Sequence, residues 1–549
     1  MAFNMNTVVI PFRGGLNLAS NAQELLAKPN EAIRLTNFEC SKQGGYRRIS
    51  GYTKHDDVVV PETGDILGIK NYKGTVVARE TGLYHSFDES YWLQINKDVS
   101  NVDEATLVAA PAVPRDAEGR YMFEKFTYAT KDYIFAVDGI GNPQIISIIG
   151  DERTGATYRT KEIVEGTALT GAKYCTMFKN QLVIAGFPED RSAFYYSSHA
   201  STDLTSPEDD DKEIPQENFN GATSGSIAVG DIITGLKVHR DILYVFCENS
   251  IWKVVGIEAG TPEVKPLTRD IGCIDGFTIQ EAGGDLLFLA PDGLRNLKNT
   301  ERLNDIELGV MSRKVSKILD PVIRDSGRYE FYSTVVREKN QYRIWFIDKL
   351  NVDAAQRGLI AAYTFDALSG RFEWGFSALE GLGLTCVDSD FHLGQERIIH
   401  GNQAGTLGEQ EQGYTFEGDR IFYVFQTPYT DFGDVSIRKN IHKVNFLARP
   451  EGDVQMGMEI RYDFESSDVF QPDIYPMEVM SMAAVYGDPL VTYGDPLIRY
   501  GARDIPDRSL FTEGSGKVVS FRIISLQTID DASFDLQSMQ VELTGGGKI

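Results

Sequence analysis

The chain has 549 residues, of which 42% are hydrophobic and 24% charged, a globular composition with enough apolar residues for one large core or for two or three domains. Its formal net charge of −25 argues against tight binding of nucleic acid, because an acidic surface repels the phosphate backbone. No run of about 18 apolar residues predicts a membrane span. Residues 1–11 contain no basic residue and predict no secretion signal, so we expect the protein to be assembled in a cytoplasm.

Glycine and aromatic residues dominate the composition, with 52 Gly, 30 Phe and 25 Tyr. Turn formers together with aromatics favour many short strands over long helices, so the predicted fold class is all-β. The five cysteines are far apart and form no CxxC pair, which predicts neither a zinc site nor a disulfide framework. We expect them to be reduced core residues.

The first 60 residues are predicted to form an extended segment that leads into the first domain. After it, seven strand–turn–strand units recur at intervals of roughly 40 to 60 residues, the spacing of four-stranded propeller blades. Each unit has alternating or continuous apolar residues and a turn of the Asp, Asn or Gly type. The units are 75–78 with 82–85, 133–137 with 144–147, 182–185 with 193–197, 242–247 with 250–255, 286–290 with 294–297, 342–347 with 359–365, and 397–400 with a turn at 401–402.

These units predict a β-propeller over residues 61–413. One divergent unit leaves both six and seven blades open. The alternative is a pair of β-sandwiches built from regular meanders, which rarely keep one hairpin form over so long a stretch.

Two segments interrupt the pattern. The acidic sequence PEDDDKE at 207–213 lacks the regular spacing and central glycine of a calcium loop, so a solvated loop is favoured over a Ca²⁺ site. Residues 310–323 carry apolar side chains at helical spacing and predict one amphipathic helix inserted between blades.

Residues 414–549 are predicted to form a second, β-sandwich-like domain, with strands at 439–448, 456–464, 517–525 and 533–543. Within it, the sequence YGDPLVTYGDPLIRYG at 486–501 repeats Tyr-Gly at Tyr486, Tyr493 and Tyr500. Pro and Gly restrict strands to edges, and tyrosine gives a large contact area at low entropic cost. We therefore consider these tyrosines candidate partner contacts; the alternative is a structural β-arch whose tyrosines pack on their own domain.

No motif for catalysis, a cofactor or a metal is present. The seven histidines form no HxH or HExxH pattern, and the chain contains neither a GxSxG elbow nor a P-loop. The nearest enzymatic pattern is SFDESYW at 86–92, which resembles the Asp-box turn of sialidase propellers but has Ser90 in place of the glycine and Trp92 one position early. We therefore predict that the protein is not an enzyme and that it has no cofactor.

Three segments resemble the tail nozzle and hub proteins of short-tailed bacteriophages, the group that includes the packaged-DNA stabilisation proteins and tail tubular protein B. The first is 12–52, with GGLN at 14–17, NFE at 37–39 and GYRRISGY at 45–52. The second comprises FYYSS at 194–198, the acidic loop, and GLKVHRDILYVFCENSIWKVV at 235–255. The third runs from 271 to 297, with DGLR at 292–295. The similarity covers most of residues 12–300, whereas the YGDP repeat has no counterpart in it.

The resemblance implies a virion protein of the tail that forms a closed ring, commonly a homohexamer, below the portal and adaptor rings. Its lumen would carry double-stranded DNA without sequence-specific binding, retain the packaged genome and conduct it during ejection. Tail fibre or tip proteins would attach to the ring. An acidic lumen is compatible with this function, because it would hold DNA away from the wall.

Arg47 and Arg48, in the first of these segments, are candidate subunit contacts. Adjacent basic residues on an extended segment could bridge to an acidic neighbouring subunit. The alternative for this pair is an exposed turn.

Two other functions compete with the DNA conduit. A receptor-binding or fibre-attachment propeller would recognise a host glycan or protein through its loops. A propeller glycoside hydrolase, the less favoured of the two, would need perturbed carboxylates in the central pocket of the propeller.

Overall fold

The computed structural model describes the chain in segments. It covers residues 6–26, 28–42, 44–55, 58–86, 92–94, 119–128, 131–149, 157–163, 169–199, 214–220, 223–256, 262–302, 310–351, 356–366, 371–392, 394–452, 454–479, 507–526 and 532–548. The fold is almost entirely β, as predicted, and combines a β-propeller with a two-sheet sandwich.

The opening segment contains five short strands and one short helix. They are β1 (Asn6–Pro11), α1 (Ala22–Leu26), β2 (Arg34–Thr36), β3 (Phe38–Cys40), β4 (Tyr46–Arg48) and β5 (Tyr52–Lys54).

The propeller has six four-stranded antiparallel blades, and a three-stranded sheet lies between the fourth and the fifth. Blades 1 and 2 are β6 (Ile66–Asn71), β7 (Thr75–Arg79), β8 (Gly82–Ser86) and β9 (Leu93–Gln94), then β10 (Met122–Tyr128), β11 (Lys131–Val137), β12 (Gln144–Ile149) and β13 (Thr157–Glu162). Blades 3 and 4 are β14 (Tyr174–Phe178), β15 (Gln181–Ala185), β16 (Ala193–Tyr196) and β17 (Gly225–Ala228), then β18 (Ile233–His239), β19 (Ile242–Cys247), β20 (Ile251–Val255) and β21 (Glu263–Thr268).

The three-stranded sheet and the last two blades complete the ring. The sheet is β22 (Gln280–Ala282), β23 (Asp285–Ala290) and β24 (Gly293–Asn296). Blade 5 is β25 (Tyr329–Val336), β26 (Gln341–Asp348), β27 (Arg357–Asp366) and β28 (Arg371–Glu380). Blade 6 is β29 (Cys386–His392), β30 (Gln395–Gly401) and β31 (Leu407–Gln410), with β5 of the opening segment as its fourth strand.

First strands of successive blades contact one another around the ring and are therefore its innermost strands. At the three-stranded sheet, β18 contacts the 3-10 turn Gly276–Thr278 that precedes β22, and β29 contacts β6 to close the circle. The seven hairpins predicted from the sequence are all the pairings of second and third strands. These strands carry the strongest apolar signal because neighbouring blades cover both of their faces; β15 and β23, for example, are buried over their full length.

The insertion predicted at 310–323 lies between the three-stranded sheet and blade 5. It consists of a 3-10 helix at Met311–Val315 followed by α3 (Ser316–Arg324), which buries Leu319 and Val322. A further helix, α2 (Leu297–Arg302), follows β24 and was not predicted.

The last part of the chain adds two short strands to blade 6 and then builds the sandwich. Its strands are β32 (Thr415–Phe416), β33 (Asp419–Arg420), β34 (Val424–Gln426), β35 (Ile437–Pro450), β36 (Val454–Tyr462), β37 (Tyr475–Val479), β38 (Asp507–Phe511), β39 (Ser515–Gly516), β40 (Val519–Ser525) and β41 (Phe534–Lys548). One sheet has the order β3-β4-β41-β35-β38, with β1 on β41 and β39 on β35. The other continues blade 5 through β28-β2-β34-β40-β36-β37, so propeller and sandwich share one sheet.

The two sheets of the sandwich pack face to face and enclose the largest hydrophobic core among the described residues. Phe38, Phe425, Phe446, Phe521 and Phe534 are all buried there. Burial of such aromatic side chains contributes most of the apolar area of a core.

The opening segment does not simply lead into the propeller. Strand β1 pairs with β41, β2 pairs with β34 and touches β28, and β4 pairs with β41. It therefore belongs to blade 6 and to both sandwich sheets. Since β32 and β33 still pair in the sheet of blade 6, the sandwich begins at β34.

Candidate functional site

A cavity of about 550 Å³ opens on the propeller where the first strands begin. This is the face on which a ring of blades brings loops from several blades together. Its charged lining residues are Arg120, Asp138, Lys173, Asp275, Glu330 and Lys349. Its aromatic lining residues are Tyr174, Phe277, Tyr329 and Phe331. The lining thus combines three cations, three carboxylates and four aromatic rings.

Arg120 crosses this cavity from blade 2 towards blade 5. Its guanidinium lies 3.9 Å from the ring centroid of Phe277 and 4.4 Å from that of Tyr332. Nη1 donates to Asp275 Oδ2 at 2.9 Å, and Nη2 donates to the Phe331 carbonyl at 2.5 Å. A planar cation held between two rings and a carboxylate is a strong, directional tie. Arg120 therefore joins blades that are not neighbours.

The phenols around Arg120 are neutral. Burial raises the pKa of Tyr332 and of Tyr174 above the usual tyrosine range. Asp275 is already paired with Arg120, and Asp138 accepts hydrogen bonds from the backbone of Ile140 and Gly141. Among the described residues, Lys173 and Lys349 have no ion-pair partner. The site can bind a small polar ligand through its rings and lysines, whereas two of its carboxylates are committed to structural contacts.

Below the cavity, the innermost strands are bridged by side chains of alternating charge. Lys70 Nζ donates to Asp388 Oδ1 at 3.0 Å, and Asp388 Oδ2 accepts from the backbone of Asn71 at 2.9 Å. Lys125 donates to Asp390 at 2.5 Å. Each bridge joins two blades, so these charges stabilise the ring.

The two arginines proposed as subunit contacts lie in strand β4, an extended segment, and not in the exposed turn that was the alternative. Arg48 is fully buried, donates to the carbonyls of Ala532 at 3.0 Å and Tyr414 at 2.8 Å, and lies over the ring of Tyr423. An inward-facing guanidinium cannot reach a neighbouring subunit. Arg47 is partly exposed and forms an ion pair with Glu451 at 2.8 Å. A subunit contact through Arg47 stays a prediction.

Several predicted features lie outside the described residues. These are Tyr486, Tyr493 and Tyr500 of the YGDP repeat, the acidic loop at 207–213, and residues 87–91 of the Asp-box-like segment. At the end of that segment, Trp92 Nε1 donates to the Val58 carbonyl at 3.0 Å.

Metal-binding chemistry is not indicated in the segments that the structure covers, where no cluster of three or more His, Cys, Asp or Glu side chains occurs. All five cysteines are buried and free, as expected. Burial raises the pKa of the Cys40, Cys247, Cys273 and Cys386 thiols to about 12, which keeps them protonated. No helix in the described segments is long and apolar enough to cross a membrane.

The sequence did not predict Arg120 as a functional residue. It lies in the linker between blades 1 and 2, where no periodic pattern surrounds it. Its partners Asp275 and Tyr332 are more than 150 residues away along the chain, so no local spacing relates them.

Comparison with protein families and with curated proteins gave no match in sequence. Among solved structures, the extracellular domain of a hybrid two component system from B. thetaiotaomicron is 8% identical with a TM-score of 0.34, over 66% of this chain and 40% of that one. An ancestral GH74 enzyme is 10% identical with a TM-score of 0.35, over 69% of this chain and 50% of that one. Kluyveromyces lactis Hsv2 is 8% identical with a TM-score of 0.25, over 58% of this chain and 98% of that one. This chain thus spans half or less of the first two structures.

Proposed function

We propose that this protein is a non-enzymatic structural subunit of a bacteriophage tail. It forms a ring-shaped nozzle or hub, as a homohexamer, that retains packaged DNA and conducts it during ejection. It is assembled in the host cytoplasm and remains in the virion.

The observation that supports this proposal most directly is the position of the opening segment. The residues that carry the first part of the resemblance, 12–52, form the strands that join the propeller to the sandwich. A Cβ on Gly15 would lie 2.6 Å from the backbone nitrogen of Phe376, and one on Gly51 would lie 2.0 Å from the Thr415 carbonyl oxygen. Gly15 and Gly51 are therefore required by the architecture. The residues that carry the resemblance thus hold the propeller and the sandwich together, and such a structural role supports a function in assembly.

Proposed partners follow from the same role. They are identical subunits, the portal and adaptor ring proteins, and tail fibre or tip proteins. Double-stranded DNA would pass through the lumen without sequence-specific binding, since a chain of net charge −25 does not attract phosphates.

Particles assembled without this chain test the proposal. Capsids from cells in which its gene carries a nonsense codon should package DNA and then lose it. The released DNA, measured as the nuclease-sensitive fraction, should fall to the wild-type level when the intact chain is supplied from a plasmid. Stable retention of DNA without the chain would contradict the proposal.

A receptor-binding propeller is the second candidate, favoured by the cavity around Arg120. Its four aromatic rings and its two lysines, which have no ion-pair partner in the described part of the chain, resemble the lining of a site for a polar ligand. The test is binding of the purified chain to host cells. Under this alternative, Lys173→Glu with Lys349→Glu should abolish binding, whereas Lys317→Glu on the exposed face of α3 should not.

A further inference from the structure

On one side of the sandwich, each sheet ends in a strand that has a single strand partner among the described residues; residues 480–506, which connect these two strands along the chain, lie outside those residues. Strand β37 is the last strand of one sheet and β38 the last strand of the other. The Tyr475 Oη, at the start of β37, accepts a hydrogen bond from the Glu513 backbone nitrogen at 3.0 Å, just after β38. We call β37, β38 and the loop 463–474 between β36 and β37 the sandwich edge. Open strands present unpaired backbone groups that can pair with another extended chain.

Large apolar side chains are exposed along the sandwich edge. Phe511 is 79% exposed, Phe470 64%, Phe464 56% and Ile474 44%. Single exposed apolar residues are common on protein surfaces, whereas four within one edge mark an interaction site.

The structure holds these side chains in place by a network of polar contacts. Gln471 Nε2 donates to the Tyr462 carbonyl at 2.9 Å, and Tyr462 Oη donates to the Glu513 carbonyl at 3.2 Å. The Phe470 and Phe511 sides of the edge are therefore linked through Tyr462. A surface ordered before binding loses less conformational entropy when a partner arrives.

The turn that presents Phe464 is strained. Asp463, Phe464 and Glu465 all have positive φ, at 48°, 58° and 61°. Asp463 Oδ1 accepts from the backbone of Lys517 and Val518, while Glu465 pairs with Arg522. Three consecutive non-glycine residues in the left-handed region are unfavourable, and such strain is concentrated at functional sites.

The sandwich edge carries six carboxylate side chains and one cation, Arg508, so its net charge is negative. Asp468, Asp473 and Glu478 of the edge, and Glu513 just after β38, are exposed and form no ion pair with any described residue. The nearby Arg461 and Arg522 are already paired with Glu459. A partner that fits this edge is cationic as well as apolar.

We propose that the sandwich edge binds an extended segment of another protein in which Lys or Arg alternates with apolar residues. The segment adds a strand to β37 or β38, with its apolar side chains against Phe470 and Phe511 and its cations near Asp468, Asp473 and Glu478. This partner site goes beyond the proposed tail function and does not depend on it.

Peptide binding to the full chain tests the proposal. The probe is a fluorescent ten-residue peptide of alternating Lys and Val, compared with a peptide of the same sequence that is N-methylated at every second residue. The second peptide has the same charge but lacks the backbone donors on one side. Anisotropy should show that N-methylation weakens binding about tenfold or more, because strand addition depends on those donors.

Site variants locate the binding. Phe470→Ser with Phe511→Ser should weaken binding of the Lys-Val peptide about tenfold, while Phe391→Ser, an exposed phenylalanine of blade 6, should leave it unchanged. Equal binding of the two peptides, or equal binding by the edge variant and the wild type, would overturn the proposal in favour of nonspecific attraction. Loss of self-association in the edge variant, without loss of peptide binding, would assign the edge to a second copy of this chain instead. None of these results would affect the DNA-retention test.

Discussion

Adjacent residues in one strand can contribute very differently to stability, and Arg47 and Arg48 in β4 are such a pair. Arg48→Ala would leave one buried and one partly buried carbonyl without this donor and a cavity beside Tyr423, so we expect a loss of about 3 kcal/mol in the free energy of unfolding. Arg47→Ala removes one partly exposed ion pair and should cost about 1 kcal/mol or less. Urea unfolding of the two variants measures the difference; equal losses would contradict the placement of Arg48.

Two buried histidines predict how stability depends on pH. Burial lowers the pKa of His85 and of His400 to about 4 in the folded chain, whereas the unfolded value is about 6.5. The unfolded chain therefore binds more protons between these values. The contribution of both residues is fully present above pH 6.5 and is lost as the pH falls from 6.5 to 4.

Thermal unfolding at pH 7, 5.5 and 4.5 measures this dependence. His85→Gln with His400→Gln should flatten the fall of the midpoint over that range. Burial raises the pKa of Glu409, but hydrogen bonds from His55 and Arg397 outweigh it and lower this pKa to about 2. The stability that Glu409 contributes is therefore fully present above pH 4.5 and is lost only as the pH falls from 4.5 towards 2, below the range of the histidines. If the unfolding midpoint of the histidine variant falls with pH as steeply as that of the wild type, His85 and His400 do not cause the pH dependence.

At the scale of elements, the contact between the opening segment and blade 5 depends on Gly15. Gly15 and Gly44 both have positive φ, at 69° and 85°, so an alanine is strained at either position. Only at Gly15 would the new Cβ meet backbone, 2.6 Å from the Phe376 nitrogen; at Gly44 nothing lies within 4 Å. Gly15→Ala should therefore cost about 1–3 kcal/mol more than Gly44→Ala in the free energy of unfolding. Equal losses of stability in the two variants would show that the strain of the positive φ, and not the contact between the new Cβ and the Phe376 backbone, determines the cost of Gly15→Ala.

The sequence predicts a strand of the propeller well when other blades bury both of its faces, and poorly when the strand is only partly buried. Second and third strands of the blades were predicted because neighbouring blades bury them on both faces, which leaves continuous apolar runs. First strands such as β29 are only partly buried and carry polar side chains, so their pattern is weak. The pairing of β1 with β41 and of β5 with β31 joins residues more than 350 positions apart, and no local pattern encodes such pairing.

The candidate site was less predictable than the fold. Arg120 contacts Phe277 and Asp275, which lie far from it along the chain and come close to it only when the blades close into a ring. At the sandwich edge, the exposure of Phe470 and Phe511 follows from the edge positions of their strands and loop, which the sequence does not reveal.

At the scale of the whole molecule, strands from both ends of the chain belong to the sheets of blades 5 and 6. We therefore predict that the propeller does not fold independently. A fragment of residues 61–413 lacks β5 and the strands that continue the sheet of blade 5. We expect it to lose cooperative unfolding in circular dichroism and to be cleaved rapidly by protease, unlike the full chain. A fragment as resistant as the full chain would show that the shared strands are dispensable.

The central claim concerns the place of the protein in a virus particle. Cryo-electron microscopy of particles bound by an antibody against this chain tests it most directly. We predict label confined to the tail axis, with rotational symmetry around a central channel. Label on peripheral fibres, or none on the particles, would contradict the account and move receptor binding to first place.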